Sequence, residues 1–525
     1  MRDAAPEKRR LPQATSLSSD LVRGDIDDAR SHDLVFAVVG HVGAGASWVA
    51  EMLAEELRGI DYHVNLIKMS DLKMSDLIEK AAVHTDVAKL DRPNRYHRTC
   101  YLQDVGDKLR ERFGESFIGG LAIRDMSTKR ATLENGKHQA FILDSLKHPK
   151  EVEALRDVYG RSFYLVSVVC HRQERWRRLG LKYKGRKETE IERLMQRDEA
   201  GSNKYSQRVR DTLQLGDVFV RNDYPESTSE KNLIDDLQRF RNIITGRGVV
   251  RPTRDERGMY AAWGASLRSS CMSRQVGAAL LASDGEILAT GTNDVPKYGG
   301  GLYQDGDSPD QRCYRWDGRP SKPQCHNDKA KEDIYKEIYE RLFEESLLAA
   351  DVDLTRVKEC IEGTRVKGLI EFSRAVHAEM DALLSLTRKG SVSSVGTTLY
   401  CTTYPCHGCA RQIVAAGVEE VVYIEPYVKS LAADLHRDTI YESTSTEPQS
   451  KKQVCFRLFS GIAPRRFATL FEQRESLKDR QGNFVPPEGR AHQDRVFKKT
   501  FLEFERNIAD RVLKQLESSE VMHVG

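Results

Sequence analysis

Four residues in the second half of the chain have the types and spacing of a zinc site. His377 and Glu379 are two positions apart, and Cys406 and Cys409 are one helical turn apart, so both sulfurs can face one ion. Zinc takes thiolate and imidazole ligands, and catalytic zinc sites use three protein ligands and a fourth position for water. The sequence therefore predicts zinc bound by His377, Cys406 and Cys409, which leaves Glu379 free to move protons.

The surroundings of the two cysteines favour this interpretation. Pro405 suits the first turn of a helix, and the positive potential at a helix N-terminus favours ionised sulfurs. A CxxC pair alone also fits a redox pair or half of a structural zinc site. Structural zinc sites normally have four protein ligands, and His407, as the neighbour of Cys406 on a helix, points elsewhere. Together the residues match the H-x-E…P-C-x-x-C pattern of zinc deaminases.

Helices and strands must bring these residues together. In the second half, apolar periodicity predicts helices and short strands, two of which pair around the Asp284-Gly285 turn. The predicted helices are Met259–Ser270, Glu332–Ala350, Val376–Leu386 and Cys406–Ala416. The predicted strands are Val276–Leu281, Ile287–Gly291, Thr398–Tyr400 and Val421–Glu425, and a polar inserted loop is predicted at about 298–331.

A glycine-rich loop in the first half has the pattern of a phosphate cradle. GHVGAGAS, from Gly40 to Ser47, lies between an apolar strand and a helical pattern, as in G-x-x-x-x-G-K-[ST]. Backbone amides around Gly40, Gly43 and Gly45 can surround a phosphate, and the helix N-terminus adds positive potential. Ala46 replaces the lysine that would reach the β- and γ-phosphates, so we expect nucleotide binding rather than ordinary phosphoryl transfer.

Two further features extend the interpretation of the first half. Ser47 can still hold Mg²⁺, and Asp144, which ends the apolar run AFILD, resembles the acid of a Walker B strand; a helix N-cap or a loop Asp is the alternative. The basic run His171–Lys187 resembles the lid of nucleotide kinases, and its alternative is a solvated helix face. The first half thus resembles a degenerate P-loop kinase.

The predicted fold class is α/β throughout. Strands that alternate with helices predict a parallel sheet in a kinase-like domain at 33–245, after a disordered leader at 1–32. A stretch rich in Gly, Pro and charge marks the boundary to a cytidine-deaminase-like α/β/α domain at 255–440, which the inserted loop interrupts. Residues 441–525 form a C-terminal extension.

Composition excludes several classes of protein. The 525 residues carry a formal net charge of only +3, which gives no whole-chain argument for a polyanionic partner. No apolar run approaches the roughly 18–20 residues of a membrane helix, and the first residues lack the apolar core of a secretory signal. The ten cysteines are spread over the chain, which argues for reduced thiols. The sequence predicts a cytoplasmic protein with no membrane partner.

Residues 255–430 resemble the deoxycytidylate deaminase family. Three segments carry the resemblance: RSSCMSRQVGAALLASDGEILATGTNDVP (Arg268–Pro296), HAEMDAL (His377–Leu383) and TLYCTTYPCHGCARQIVAAGVEEVVY (Thr398–Tyr423). The resemblance implies a mixed sheet between layers of helices, with two helices presenting the zinc ligands. It also implies attack of water on C4 of cytosine, with Glu379 moving protons.

Six more residues are candidates for ligand contacts. By the resemblance Asn293 holds the sugar, although a turn-forming role fits it equally well. Tyr404 is a candidate to stack on the base or wall off the sugar, and Arg274 to meet the phosphates; the alternatives are a core tyrosine and a solvated arginine. Some relatives carry a second zinc in an insertion, for which three residues of the inserted loop are candidates, with ordinary loop positions as the alternative: Cys313, Cys325 and His326.

The combination of a P-loop kinase-like domain with a deaminase domain resembles the bacterial anti-phage dCTP deaminases. That resemblance implies conversion of dCTP, and often dCMP, to the uracil nucleotide, so that dCTP is depleted during infection. It also implies a regulatory first domain that responds to a nucleotide or a small RNA, and a homo-oligomer. The alternatives are a housekeeping dCMP deaminase, a nucleic-acid-editing deaminase and a non-enzymatic sensor with a structural zinc site.

Overall fold

Two six-stranded sheets organise the chain. The computed structural model describes residues 31, 33–72, 94–131, 138–201, 203–223, 229–315, 323–390, 392–426, 430–443, 452–473, 476–487 and 498–524. The predicted leader at 1–32 lies outside these residues, apart from Ser31. The strands are β1 Leu34–Gly40, β2 His63–Lys68, β3 Gln139–Asp144, β4 Phe163–Val169, β5 Val218–Arg221, β6 Gly277–Leu281, β7 Ile287–Thr292, β8 Thr398–Thr403, β9 Glu420–Glu425, β10 Ile440–Glu442, β11 Val454–Leu458 and β12 Gly461–Ile462.

Helices cover both sheets. Those of the first half are α1 Ala46–Arg58, α2 Met69–Leu72, α3 Arg95–Phe113, α4 Phe117–Ala131, α5 Pro149–Tyr159, α6 Arg172–Lys182, α7 Glu188–Glu199, α8 Val209–Leu213 and α9 Ser229–Ile244. The later helices are α10 Arg254–Ser266, α11 His326–Glu344, α12 Leu354–Glu362, α13 Ala378–Lys389, α14 His407–Ala415, α15 Ala432–Leu435, α16 Pro464–Phe471 and α17 Lys498–Val524. In the described part of the chain, no helix combines the length and apolar character needed to cross a bilayer.

The first sheet has the order β12-β5-β4-β1-β3-β2 and is parallel except at β12. Every residue of β1, β3 and β4 is buried. Parallel strands covered on both faces require apolar side chains on both sides, which explains why these strands are continuous apolar runs in the sequence. The α/β fold class predicted from the sequence is confirmed.

The second sheet has the order β10-β11-β9-β8-β6-β7, in which β6 runs antiparallel to both neighbours. Side chains alternate between its two faces. Leu399 and Cys401 of β8 pack in one cluster with residues of α13 and α14, whereas Tyr400 packs in another with Met259 and Ala262 of α10. The sheet therefore separates α10 from the two helices that carry the predicted zinc ligands.

The stretch from 441 to 525 belongs to both sheets. After β11 in the second sheet, the chain crosses through Phe459 and Ser460 to β12, which pairs with β5 in the first sheet. The ring centroids of Phe219 and Phe459 lie 5.8 Å apart in a core cluster that spans the two sheets. Farther on, α17 packs against α4, where buried Glu505 accepts a hydrogen bond from Tyr159 at 2.8 Å. The proposed division into domains remains a prediction, with 441–525 contributing to both halves.

Two helices are shifted from their predicted positions. Helix α10 spans Arg254–Ser266, whereas the sequence pattern placed it at Met259–Ser270. Helix α11 spans His326–Glu344 and so begins inside the stretch of about 298–331 predicted as an inserted loop, whereas the sequence pattern placed it at Glu332–Ala350. The first turn contains His326, Asn327 and Asp328, so it lacks the apolar periodicity that marks a helix start.

Candidate active site

The three predicted zinc ligands lie together. His377 Nδ1 is 3.4 Å from Cys406 Sγ and 3.3 Å from Cys409 Sγ. Among the described residues, this trio is the group of metal-ligating side chains whose donor atoms all lie within 4.8 Å of one another. Zinc bonds of about 2.3 Å to sulfur and 2.0–2.1 Å to nitrogen place tetrahedral ligand atoms about 3.5–3.8 Å apart. The donor set and spacing therefore fit zinc after shifts of a few tenths of an ångström.

Two helix starts position these ligands. His377 is the N-cap of α13 and Cys406 is the N-cap of α14, both with extended backbone. Cys406 Sγ accepts a hydrogen bond from the backbone N–H of Cys409 at 3.4 Å. Hydrogen bonds from the Cys409 thiol and from His377 lower the pKa of Cys406 to about 4, and the shared proton raises the pKa of Cys409. A cation bound here would displace that proton, which couples metal affinity to pH.

Glu379 is buried beside the ligands and is not part of the ligand trio. It is the second residue of α13 and is 4% exposed. Burial raises the pKa of Glu379, although the nearby His377 opposes that shift. A carboxyl group with a raised pKa can both accept and return a proton near neutral pH, as a general acid–base requires.

A cavity of about 250 Å³ exposes this chemistry to a ligand. Its wall includes all the predicted substrate-contact residues as well as part of the ligand set: Arg274, Asn293, His377, Glu379, Tyr404 and Cys406. Sequence reasoning missed other wall residues, among them Arg374, whose Nη1 donates to the Gln311 carbonyl at 3.1 Å. The sequence signal for a role of Arg374 in the site was its position three residues before His377. A single arginine in a polar segment does not form a pattern that distinguishes it from a solvated side chain.

Asn293 uses its carboxamide to hold the cavity wall. Its Oδ1 accepts from the Val276 N–H at 2.6 Å, and its Nδ2 donates to the Arg274 carbonyl at 2.9 Å. Both ends of the amide therefore fix the backbone of 274–276. Contact between Asn293 and the sugar of a substrate remains a proposal. The sugar would have to share the Asn293 carboxamide with its two backbone partners.

Tyr404 and Arg274 also have protein partners. The buried Tyr404 ring lies 4.8 Å from the Tyr423 centroid in an edge-on arrangement and 5.4 Å from that of Phe456. It therefore forms a rigid part of the wall. Arg274 Nη1 is 2.7 Å from Glu425 Oε1, and its side chain is 42% exposed, so it can still turn toward an anion.

The predicted second-zinc residues line the same cavity. Cys313, Cys325 and His326 are wall residues, and Cys271 joins them there. Within the described residues they do not form a group whose donor atoms all lie within 4.8 Å of one another. Cys313, Cys325 and His326 thus belong to the wall of the cavity beside Glu379. A second zinc site remains a hypothesis for which the described residues supply no clustered ligand set.

The glycine-rich loop of the first half contains two glycines in the left-handed region of backbone conformation. Gly43 and Gly45 have φ values of 86° and 81°, which favour glycine, and Gly45 is the N-cap of α1. A Cβ on Gly45 would lie 2.4 Å from Asn222 Nδ2, so the close approach also requires glycine. Ser47 Oγ donates to Asp144 Oδ1 at 3.0 Å, which places the two proposed Mg²⁺ residues in contact.

Comparison with protein families agrees with the geometry of the second half. Residues 252–425 match the model of the cytidine and deoxycytidylate deaminase zinc-binding region. The second half of this chain is therefore similar to a deaminase zinc-binding region. The deoxycytidylate deaminases of Enterobacteria phages T2 and T4 are each 44% identical over 55 residues, 10% of this chain and 29% and 28% of theirs. The matched segments thus span less than a third of those relatives' length.

Longer but weaker similarities exist. The deoxycytidylate deaminase of Saccharomyces cerevisiae is 26% identical over 202 residues, 38% of this chain and 45% of the yeast protein. A UPF0200 protein of Saccharolobus islandicus is 27% identical over 192 residues, 36% of this chain and 81% of that protein. The dCMP deaminase of cyanophage S-TIM5, solved with dCMP and dUMP, aligns with 40% of this chain and 98% of its own at 21% identity, with a TM-score of 0.23.

Proposed function

We propose that the protein hydrolyses the 4-amino group of a free deoxycytidine nucleotide, dCTP or dCMP, and releases ammonia and the uracil nucleotide. The observation that carries this proposal is the trio of His377, Cys406 and Cys409 beside the buried carboxyl of Glu379, with His377, Glu379 and Cys406 in the wall of one cavity. Three protein ligands and a separate proton carrier are the parts that hydrolytic deamination needs.

The residues divide the chemistry among them. When bound, zinc would supply a water whose pKa is lowered towards about 7. Glu379 accepts the proton of that water and delivers it to N3 of the base as the water oxygen bonds to C4. Glu379 then takes the proton of the new C4 hydroxyl and passes it to the departing amino group, so that ammonia leaves and a carbonyl forms at C4. Tyr404 and the Asn293-fixed backbone exclude bulk water from one side.

A nucleotide phosphate fits the charges around the cavity. Arg274 and Arg374 are both wall residues, and Arg274 is partly exposed. The net charge of +3 gives no whole-chain argument for a polyanionic partner, so we propose a free nucleotide rather than nucleic acid as the substrate. The phage and yeast relatives are named deoxycytidylate deaminases, and for this reason we propose dCMP beside dCTP as a candidate substrate.

The first half supports the dCTP proposal. Its glycine-rich loop and the Ser47–Asp144 contact support a proposed site for a nucleotide with Mg²⁺, which a housekeeping dCMP deaminase would not need. We therefore propose that a nucleotide or small RNA acts on this half to control dCTP depletion during phage infection. The proposal includes a cytoplasmic homo-oligomer.

The test is release of ammonia and uracil nucleotide by the full chain. dCTP, dCMP, CTP and single-stranded DNA are supplied separately, and Glu379→Gln is assayed beside the wild type. We expect turnover of dCTP or dCMP and its loss in Glu379→Gln, whereas Glu371→Gln, which changes an exposed carboxylate, keeps wild-type rates. Equal deamination rates in wild type and Glu379→Gln would exclude the proposed mechanism. Faster turnover of single-stranded DNA than of the nucleotides would exclude the proposed substrate.

A further inference from the structure

An internal carboxylate occupies one of the amide donors of the glycine-rich loop. Asp198, near the end of α7, is 1% exposed, and its Oδ2 accepts a hydrogen bond from the Val42 N–H at 2.7 Å. Val42 lies between Gly40 and Ser47, in the stretch whose amides surround an anion in phosphate-binding loops. A phosphate that entered this loop would therefore compete with Asp198 for the Val42 N–H.

A lysine from another element lies beside this loop. Lys147, in the turn after β3, has its Nζ 2.8 Å from Asp198 Oδ1 and 3.1 Å from the carbonyl of Gly40. The motif position that normally carries the lysine holds Ala46. Lys147 thus brings an ammonium group to the first residue of the loop from a position far from Ala46 in the sequence.

A buried arginine next to the loop has unused donors. The side chain of Arg175 is 5% exposed and donates through Nη2 to Glu199 at 2.9 Å, whereas its Nε and Nη1 have no hydrogen-bond partner among the described residues. Unsatisfied buried donors are costly, more so on a charged group. Arg175 lines a cavity of about 670 Å³ together with His41 of the glycine-rich loop. An anion entering from this cavity would satisfy these donors.

The other charges of the cavity are compatible with an anion. Four carboxylates in its wall are each paired with a basic side chain: Glu192 with Arg172, Glu199 with Arg172 and Arg175, Glu442 with His171, and Asp434 with Arg437. Burial alone would raise the pKa of Asp198, but the charge of Lys147 and the contact with His41 outweigh burial and hold that pKa below its ordinary value. Asp198 is therefore an anion already bound in the loop.

We propose that the loop 40–47 binds the terminal phosphates of a nucleoside polyphosphate by exchange with Asp198, with Lys147 supplying the cation absent at Ala46 and Arg175 binding a phosphate oxygen. This inference rests on the nucleotide-binding role proposed for the first half. Leu179 of α6 and Met195 of α7 pack in one cluster with Val42, so the departure of Asp198 requires movement of the α6–α7 hairpin. The bound and empty loop therefore differ in the position of that hairpin.

Calorimetric titration of the full chain with ATP and Mg²⁺, and separately with tripolyphosphate, tests the exchange. Asp198→Asn keeps the side-chain shape and an acceptor but removes the competing charge, so it should tighten ATP binding about tenfold, as one charged hydrogen bond allows. Lys147→Gln should weaken binding about tenfold for the same reason. Lys150→Gln removes the exposed ammonium that pairs with Glu153 and should bind like the wild type.

A rescue variant separates a phosphate contact from loss of folding. Ala46→Lys combined with Lys147→Gln should restore wild-type affinity, because either lysine supplies the cation. Unchanged affinity in Lys147→Gln, or unchanged or weaker binding in Asp198→Asn, would overturn the proposal, and so would failure of both wild type and Asp198→Asn to bind either probe. Equal affinity for ATP and tripolyphosphate would overturn the nucleoside part alone. Deamination, measured on the same samples, reports the proposed enzyme function independently of binding.

Discussion

His171 Nε2 lies 3.1 Å from Glu442 Oε2, which joins the N-cap of α6 in the first half to the end of β10 in the second sheet. Glu442 and Tyr404, which is two residues before Cys406, line the same cavity, and burial together with the charge of Glu442 raises the pKa of Tyr404. Neighbouring side chains therefore connect the α6–α7 hairpin to the region of the candidate zinc ligands.

The first prediction concerns this contact. Glu442→Gln removes the charge that pairs with His171 and that lies in the same cavity wall as Tyr404, so we expect kcat/KM for deamination to fall about threefold to tenfold, or about 0.6–1.4 kcal/mol. Zinc content should not change, because the ligand atoms remain. Glu286→Gln, at an exposed turn of the same half, is the control. Loss of zinc in Glu442→Gln would instead indicate a structural role.

Metal content tests the ligand trio. Cys409→Ser replaces a sulfur 3.3 Å from His377 Nδ1, so we expect zinc to fall from about one ion per chain to well below that value, with loss of deamination. Elemental analysis after dialysis measures the content. Cys360→Ser, at an exposed cysteine outside the site, should retain zinc. Full zinc occupancy in Cys409→Ser would exclude that residue as a ligand.

The stability of the second sheet should depend on pH through Asp255. This carboxylate accepts hydrogen bonds from Tyr400 at 2.7 Å and from Arg457 at 2.7 Å. Burial alone would raise the pKa of Asp255, but the hydrogen bonds and charge of Arg457 outweigh burial and lower that pKa. A lowered pKa in the folded state adds stability above the unfolded pKa of about 3.9, and this stability is lost as pH falls through the folded value.

Asp255→Asn should therefore reduce the free energy of unfolding at pH 7 by about 1–2 kcal/mol, a value at the lower end for charged hydrogen bonds because the pair is partly exposed. The difference from wild type should shrink below about pH 4, where the wild-type carboxyl also takes up a proton. Urea unfolding between pH 7 and pH 3 measures both quantities. A difference that stays constant across this range would show that the charge of Asp255 is not the cause.

Two substitutions in α17 test how this helix packs on the first half, one at a buried phenylalanine and one at an exposed phenylalanine. Phe501 is 2% exposed and its centroid lies 5.9 Å from that of Tyr159, whereas Phe504 of the same helix is 49% exposed. We expect Phe501→Ala to lower the free energy of unfolding by about 3–4 kcal/mol, since it leaves a buried cavity. Phe504→Ala should cost less than about 0.5–1 kcal/mol. Equal effects in denaturant unfolding would mean that α17 does not hold this position in solution.

The clustering of the three candidate zinc ligands and the long apolar strands could be predicted because their signals are local. The C-x-x-C spacing sets the two sulfurs on one helix turn, and β1, β3 and β4 are continuous apolar runs. The contact between Asp198 and Val42 could not be predicted, because it joins residues 156 positions apart and depends on how α7 packs over the loop. A single aspartate in an amphipathic helix gives no indication of such a partner.

The two-residue strand β12 is a similar case. Gly461 and Ile462 have no strand pattern of their own, and their pairing with Phe219 and Val218 depends on the crossing of the chain after β11. Edge pairing of this length is fixed by tertiary contacts, among them the hydrogen bond from the Ile462 N–H to Glu256 at 2.8 Å. Sequence patterns therefore indicated the sheets but not how the last part of the chain is shared between them.

The crossing from β11 to β12 also means that the two halves are held by more than the connection between α9 and α10. A backbone cut between Ile244 and Arg254 would leave one fragment that ends at α9 and a second that still supplies β12 and α17 to the first sheet and its helices. Such fragments would remain associated after cleavage and would dissociate only on unfolding. The protein therefore has the geometry of a split protein, in which separately expressed pieces reassemble by exchanging an edge strand and a helix.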